Sequence, residues 1–169
     1  MITLRNFKAD DCDFLAKHYL PEMATDKAVA LIDEWNQRSC RGAYFEMFVI
    51  VSGHQPAGWI SLYAHNETTI SAGLEVIESA RQKGLGTAAL IQALAYARKL
   101  GYTTAIAQVR KNNAASICLH EKCGFSSNGE CKTSQGNEAF LFRLELEQKK
   151  QKKGSNDEPP AVFKPDSTQ

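Results

Sequence analysis

The chain has 169 residues, 43% of them hydrophobic, with 20 basic and 19 acidic side chains for a net charge of +1. That length suits one domain with a real core, and so balanced a charge argues against a general polyanion binder such as a nucleic-acid module. Residues 1 to 20 contain no continuous apolar run, so neither a signal peptide nor a membrane anchor is expected and the cytoplasm is the default compartment.

Ile2, Leu4 and Phe7 suggest a first strand, followed by a helix from about Asp10 to Tyr19 that Pro21 ends. A second helix is expected from Asp26 to about Arg38, with Ala28, Leu31, Ile32 and Trp35 on its apolar face and Asp33 and Glu34 opposite. Tyr44 to Val51 and Gly58 to Tyr63 are β-prone around the turn Ser52-Gly53-His54-Gln55, which reads as a hairpin. Asn66 and Glu67 then turn into a strand from Thr69 to about Ile77. From Thr87 to about Leu100 the pattern is helical, with Leu90, Ile91 and Leu94 on the buried side, Arg98 and Lys99 in the last turn and Gly101 behind it. Ala105 to Val109 is the next strand, and Asn113 as N-cap and Gly124 as the C′ residue bracket a last helix. Phe125 to about Asn128 and Ala139 to Leu146 are closing strands around a polar loop.

A strand-helix-strand crossover places its two strands parallel, so the strands starting at Thr69 and Ala105 should run side by side in a mixed sheet. From Glu147 to Gln169 the composition turns to Lys, Gln and Pro, which cannot bury much apolar surface, so residues 1–146 read as the domain and 147–169 as a polar tail. The five cysteines, Cys12, Cys40, Cys118, Cys123 and Cys131, form an odd set without CxxC spacing, which fits reduced thiols rather than a disulfide frame or a metal site.

The chemistry concentrates between Leu74 and Phe125. Leu74-Glu75-Val76-Ile77 leads into Arg81-Gln82-Lys83-Gly84-Leu85-Gly86-Thr87 at the head of a helix. A helix start leaves main-chain N–H groups unpaired beside a partial positive charge, and the glycines let the backbone curl around a pyrophosphate. Downstream, Asn113, Ser116 and His120 fall on one face of the next helix as a polar stripe that could line a ligand.

Gly84-Leu85-Gly86-Thr87-Ala88-Ala89 formally matches the dinucleotide fingerprint, but the acidic residue due about twenty positions later is missing, where the chain reads Ala107-Gln108-Val109-Arg110. A Walker loop needs Lys after its last glycine, whereas Lys83 precedes Gly84. The pattern instead resembles the GNAT acyl-CoA N-acetyltransferases: Arg81-x-x-Gly84-x-Gly86, then Asn113-x-x-Ser116-x-x-x-His120-Glu121-Lys122-x-Gly124-Phe125. The resemblance spans roughly Met1 to Leu146. It implies an α+β sandwich: a mixed, mostly antiparallel sheet with one parallel, splayed strand pair and flanking helices.

The same resemblance implies acetyl-CoA as co-substrate, with no metal. Its pyrophosphate would lie on the main-chain amides of Gln82, Lys83, Gly84, Leu85, Gly86 and Thr87, with Arg81 among the cofactor-binding residues, its pantetheine arm along Val76, and Asn113 and Ser116 beside it. Val76 N–H is the candidate for the tetrahedral oxyanion. His120 stands where the family usually has a tyrosine general acid, so it is the candidate to protonate the thiolate. The base some relatives carry falls near Ile70, leaving Glu75 and Glu78 as alternatives, with Glu75 in the catalytic set. Transfer is expected to be direct, in a ternary complex, because neither Cys118 nor Cys123 has a partner that marks a nucleophile. The expected acceptor is a primary amine of a small molecule or of a peptide or protein N-terminus. Glu22, Asp26, Asp33 and Glu34 are acids able to attract a cation. Neither nucleic acid nor membrane is an expected partner, and a homodimer is compatible with the chain. The alternative from another class is a non-catalytic acyl-CoA-binding sensor.

Overall fold

The computed structural model describes residues 1–21 and 24–146; Glu22 and the 147–169 tail lie outside the described residues. The elements are β1 (Ile2–Asn6), α1 (Cys12–His18), α2 (Thr25–Asn36), β2 (Ser39–Cys40), β3 (Ala43–Ser52), β4 (Gln55–Ala64), β5 (Thr69–Val76), α3 (Leu85–Lys99), β6 (Thr104–Arg110), α4 (Ala114–Lys122), β7 (Ser126–Lys132) and β8 (Glu138–Glu145). Seven strands lie in the order β1-β3-β4-β5-β6-β8-β7, with the two-residue β2 on β3. Every pairing is antiparallel except β5 with β6.

Strand alternation divides the apolar side chains between two layers. On one face Phe48, Ile50, Ile60, Leu62, Ile70 and Ala72 pack under Ala89, Leu90, Ala93 and Ala97 of α3. The alanines leave room for close helix-on-sheet packing, and Ala105, Ala107, Val109 and Phe142 extend this core toward α4. On the other face Met47, Val49 and Trp59 meet Leu15 of α1 and Ala28, Ile32 and Trp35 of α2. Asp33 and Glu34 of α2 are exposed, on the side away from the sheet.

Several details differ from the sequence reading: Ile91, expected on the buried side of α3, is exposed, and α3 begins at Leu85 rather than Thr87. The first helix opens as a 3-10 turn at Ala9–Asp11, where Asp11 turns back to accept from Lys8 N–H at 2.8 Å and from Arg5. The second ends at Asn36 because Arg38 adopts φ +56°. Arg41 and Gly42, at φ +51° and +81°, then form the two-residue turn of the β2–β3 hairpin, which no Asn-Gly signal announced. Finally, β7 continues to Lys132 across an irregular register between Ser127 and Glu130.

A buried carboxylate ties both layers to the edge of the sheet. Glu46 accepts from Asn6 (2.9 Å), Arg38 (3.0 Å), Tyr96 of α3 (3.1 Å) and Tyr44. Burial pushes its pKa up, but the donors Tyr44, Asn6 and Arg38 outweigh burial and hold it below the usual carboxylate range.

Candidate active site

The parallel pairing of β5 with β6 covers only Thr69, Ile70 and Ser71 against Thr104, Ala105 and Ile106. Beyond Ser71 the two strands part, while β5 stays paired with β4 to Val76 and β6 stays paired with β8 to Arg110. The opening is therefore a wedge between two otherwise continuous halves of the sheet. Ile77 N–H donates to Ala57 carbonyl at 3.0 Å and His65 N–H to Thr69 carbonyl at 2.9 Å, so odd-numbered main-chain groups of β5 face β4. The even-numbered ones, at Leu74 and Val76, face the wedge.

At the wide end stands the glycine turn. Gly84, at φ +73°, precedes α3 as its N-cap without a side-chain cap, and Gln82 is also left-handed at φ +62°. Among the described residues, no acceptor pairs with the main-chain N–H groups of Gln82, Lys83, Gly84, Leu85, Gly86 or Thr87. The flanking cations are held back on the scaffold. Arg81 Nε donates to Val76 carbonyl at 2.9 Å, its Nη2 lies 3.7 Å from Glu75, and Lys83 Nζ donates to Ser79 carbonyl at 3.2 Å. The turn offers an anion main-chain donors rather than a lysine point charge.

The two glycines serve different ends. A Cβ at Gly84 would meet nothing within 4 Å, so that position needs glycine for its backbone angle. A Cβ at Gly86 would lie 2.8 Å from Leu119 Cδ1 and 3.3 Å from Leu74 Cδ1, so this glycine lets α3 sit close to β5 and α4. Gly58 of β4 is a residue the sequence reading missed. A Cβ there would lie 2.1 Å from Glu75 carbonyl oxygen and 2.9 Å from Val76 Cα, so its absence fixes the end of β5. A lone glycine inside a strand pattern is the signal that could have found it.

The stripe on α4 is real, and its members mostly engage one another. Asn113 Oδ1 caps the helix by accepting from Ser116 N–H at 3.1 Å. His120 Nδ1 lies 2.8 Å from Ser116 carbonyl, which makes Nδ1 the protonated nitrogen and leaves Nε2 with its lone pair. The ring is 6% exposed and sits against Phe125 and Phe142 at centroid distances of 5.2 and 5.9 Å. Burial lowers its pKa from the ordinary value, opposed by the Ser116 carbonyl, and no charged side chain contributes. His120 therefore rests neutral, and Nε2 is the buried side-chain atom left without a partner among the described residues.

Glu75 lies on the opposite face of β5 from Leu74 and Val76, more than half exposed. Cys123 is half-buried, and burial raises its thiol pKa, which disfavours the thiolate. Among the described residues no group of three or more His, Cys, Asp or Glu side chains is placed to hold a metal, and no helix is long and apolar enough to cross a membrane.

Comparisons with solved structures place this geometry. Spermidine N-acetyltransferase from Vibrio cholerae, in complex with CoA and spermine, matches with a TM-score of 0.68 at 18% identity, over 86% of this chain and 95% of that one. A putative acetyltransferase from Salmonella typhimurium with its cofactor acetyl-CoA matches at 0.68 and 20% identity, over 93% and 98% of the two chains. An N-acetyltransferase from Staphylococcus aureus Mu50 matches at 0.68 and 21% identity, over 87% and 99%. At such identities the likeness is one of fold; no curated protein matches the sequence. The model of the acetyltransferase (GNAT) family covers residues 9–125, from the 3-10 turn before α1 through the glycine turn to Phe125, and the chain belongs to that family.

Proposed function

We propose that the protein transfers the acetyl group of acetyl-CoA to a primary amine, on a small molecule or a peptide N-terminus, by direct attack within a ternary complex. The observation that carries this reading is the run of six main-chain N–H groups from Gln82 to Thr87, without acceptors among the described residues, at the mouth of the wedge. A pyrophosphate satisfies those donors. From there the pantetheine arm follows the free edge of β5 past Val76 and Leu74, beside Asn113 and Ser116 at the head of α4.

The neutral amine adds its lone pair to the thioester carbonyl carbon. The oxyanion that forms is met by a main-chain N–H facing the wedge, with Val76 as the assigned donor. Collapse breaks the C–S bond, the product is an amide, and the proton lost by the amine ends on sulfur. His120 is the assigned carrier of that proton. Its Nδ1–H is fixed by Ser116 carbonyl and its Nε2 holds the lone pair, so it takes up a proton before it gives one. Glu75 is the assigned alternative base on the other face of the strand. The half-buried Cys123 and the unpartnered Cys118 favour direct transfer over an acyl-cysteine, and initial-rate lines that intersect rather than run parallel are the expected pattern.

Calorimetric titration with acetyl-CoA, followed by thiol release against an amine panel, tests the reading. Saturable heat and release above background are expected, and absence of heat refutes it. The resting neutrality and burial of His120 favour one second reading, a non-catalytic acyl-CoA sensor, which binds acetyl-CoA and releases no thiol with any amine.

A further inference from the structure

The face of the wedge away from α3 and α4 carries a charge pattern that points to the acceptor. The last paired residues of the parallel strands are Ser71 and Ile106. Counting on by twos places Gly73 level with Gln108 and Glu75 level with Arg110, one pair on each lip. Val109 and Ala107 belong to the core under the helices, so Gln108 and Arg110 project to the opposite face, where both are exposed. Leu74 and Val76 pack on the helix side, which sends Glu75 to the same face as Arg110.

Glu75 shares its own lip with Arg81, whose Nη2 lies 3.7 Å away and whose Nε is held by Val76 carbonyl, and the remaining charges nearby are paired elsewhere. Lys111 binds Glu130 at 2.6 Å and Glu138 at 3.5 Å. Arg143 binds Glu145 at 2.7 Å, and Thr104 takes a second bond from it. Arg110 has no ion pair or hydrogen bond from its guanidinium among the described residues. On the β5 lip Gly73 has no side chain and is exposed, and behind that lip Ser61 Oγ of β4 donates to Gly73 carbonyl at 3.4 Å.

We infer that the acceptor is a zwitterion, an amino acid whose carboxylate is held by Arg110 while its amine lies toward Glu75. This rests on the transferase reading above. A guanidinium binds a carboxylate through two parallel N–H donors, and Gln108 one register step away supplies a neutral one. The lips stand farther apart than the roughly 4.8 Å of hydrogen-bonded strands, a gap that a molecule with both charges on one short skeleton bridges. A polyamine, by contrast, brings a second cation to Arg110.

Matched pairs test this: amino acids, their carboxamides, the corresponding decarboxylated amines, and spermidine, each assayed by thiol release at saturating acetyl-CoA. The wild-type enzyme is expected to prefer each amino acid over its carboxamide by on the order of tenfold or more in kcat/KM. Arg110→Gln is expected to bring that ratio close to one, and Arg110→Glu to invert it, with melting temperatures close to wild type because the side chain is exposed. A flat panel, a preference for spermidine, or a ratio indifferent to both variants overturns the inference while leaving the transferase reading intact. Failure of every acceptor in the panel to elicit thiol release above background, alongside intact acetyl-CoA binding, overturns the transferase reading itself.

Discussion

Gly86→Ala separates packing from backbone freedom in the glycine turn. The added Cβ would sit 2.8 Å from Leu119 Cδ1, about 0.7 Å short of ordinary carbon contact near 3.5 Å, with Leu74 Cδ1 at 3.3 Å on another side. Both leucines are partly buried against the main core, so part of the strain must pass to the first turn of α3. Overpacking of this kind costs about 1–3 kcal/mol, or roughly 2–4 °C in melting temperature for each kcal/mol. The same movement shifts the row of N–H donors, and losing one charge-assisted hydrogen bond costs about 1.5–3 kcal/mol, tenfold to hundredfold in affinity. Thermal melts with and without CoA, together with calorimetry, measure both effects. Leu119→Ala vacates the clashing atom, so in a double-mutant cycle it should offset Gly86→Ala by more than about 0.5 kcal/mol. It should not offset Gly84→Ala, whose cost of about 1 kcal/mol comes from φ +73° with no neighbour within 4 Å. A Gly86→Ala protein that melts and binds CoA like the parent, or a cycle that is simply additive, refutes the packing argument.

His120→Phe keeps the ring's place between Phe125 and Phe142 but removes the group proposed to carry the proton; turnover should fall on the order of 10²-fold or more, with acetyl-CoA affinity nearly unchanged, and an active variant would dismiss His120 from the chemistry. Because burial depresses the folded-state pKa of His120, the unfolded chain binds its proton more readily. The stability due to neutral His120 is therefore fully present above about pH 6.5 and is lost as pH falls toward the lower folded value, by up to about 1.4 kcal/mol per unit. Urea denaturation across pH 5 to 8 should show that loss in the wild type and less of it in His120→Phe; identical slopes would contradict it. Glu46→Gln removes the charge that Arg38, Tyr44 and Tyr96 converge on. Arg38 is about half exposed, so the expected cost is about 1–3 kcal/mol rather than that of a fully buried pair, and a urea midpoint that does not move would show the cluster to be dispensable.

What was legible in the sequence follows from how local each signal is. The head of α3 and both ends of α4 could be read because their determinants are neighbours in the chain. Gly84 supplies a left-handed residue before a helix, Asn113 caps Ser116 three positions on, and Gly124 takes φ +90° just past the helix end. The parallel pairing of β5 with β6 was legible one step further out, from the helical crossover between them, while the splaying of that pair into a wedge was expected only from the family resemblance. What stayed hidden depends on partners far along the chain. Gly58 makes sense only against Glu75 and Val76, seventeen and eighteen residues later, and Gly86 only against Leu119. Glu46 reads as an ordinary strand residue until Asn6 of β1, Arg38 of the turn after α2 and Tyr96 of α3 close on it. His120 shows the same limit at the reactive end: helical spacing placed it beside Ser116, yet its tautomer and resting charge come from a carbonyl one turn back and from two phenylalanines, one of them across the sheet on β8. Residue type and spacing therefore singled out the histidine proposed to carry the proton, while only the packed neighbourhood shows that it rests neutral, with Nδ1 held by Ser116 carbonyl and Nε2 free of a partner among the described residues.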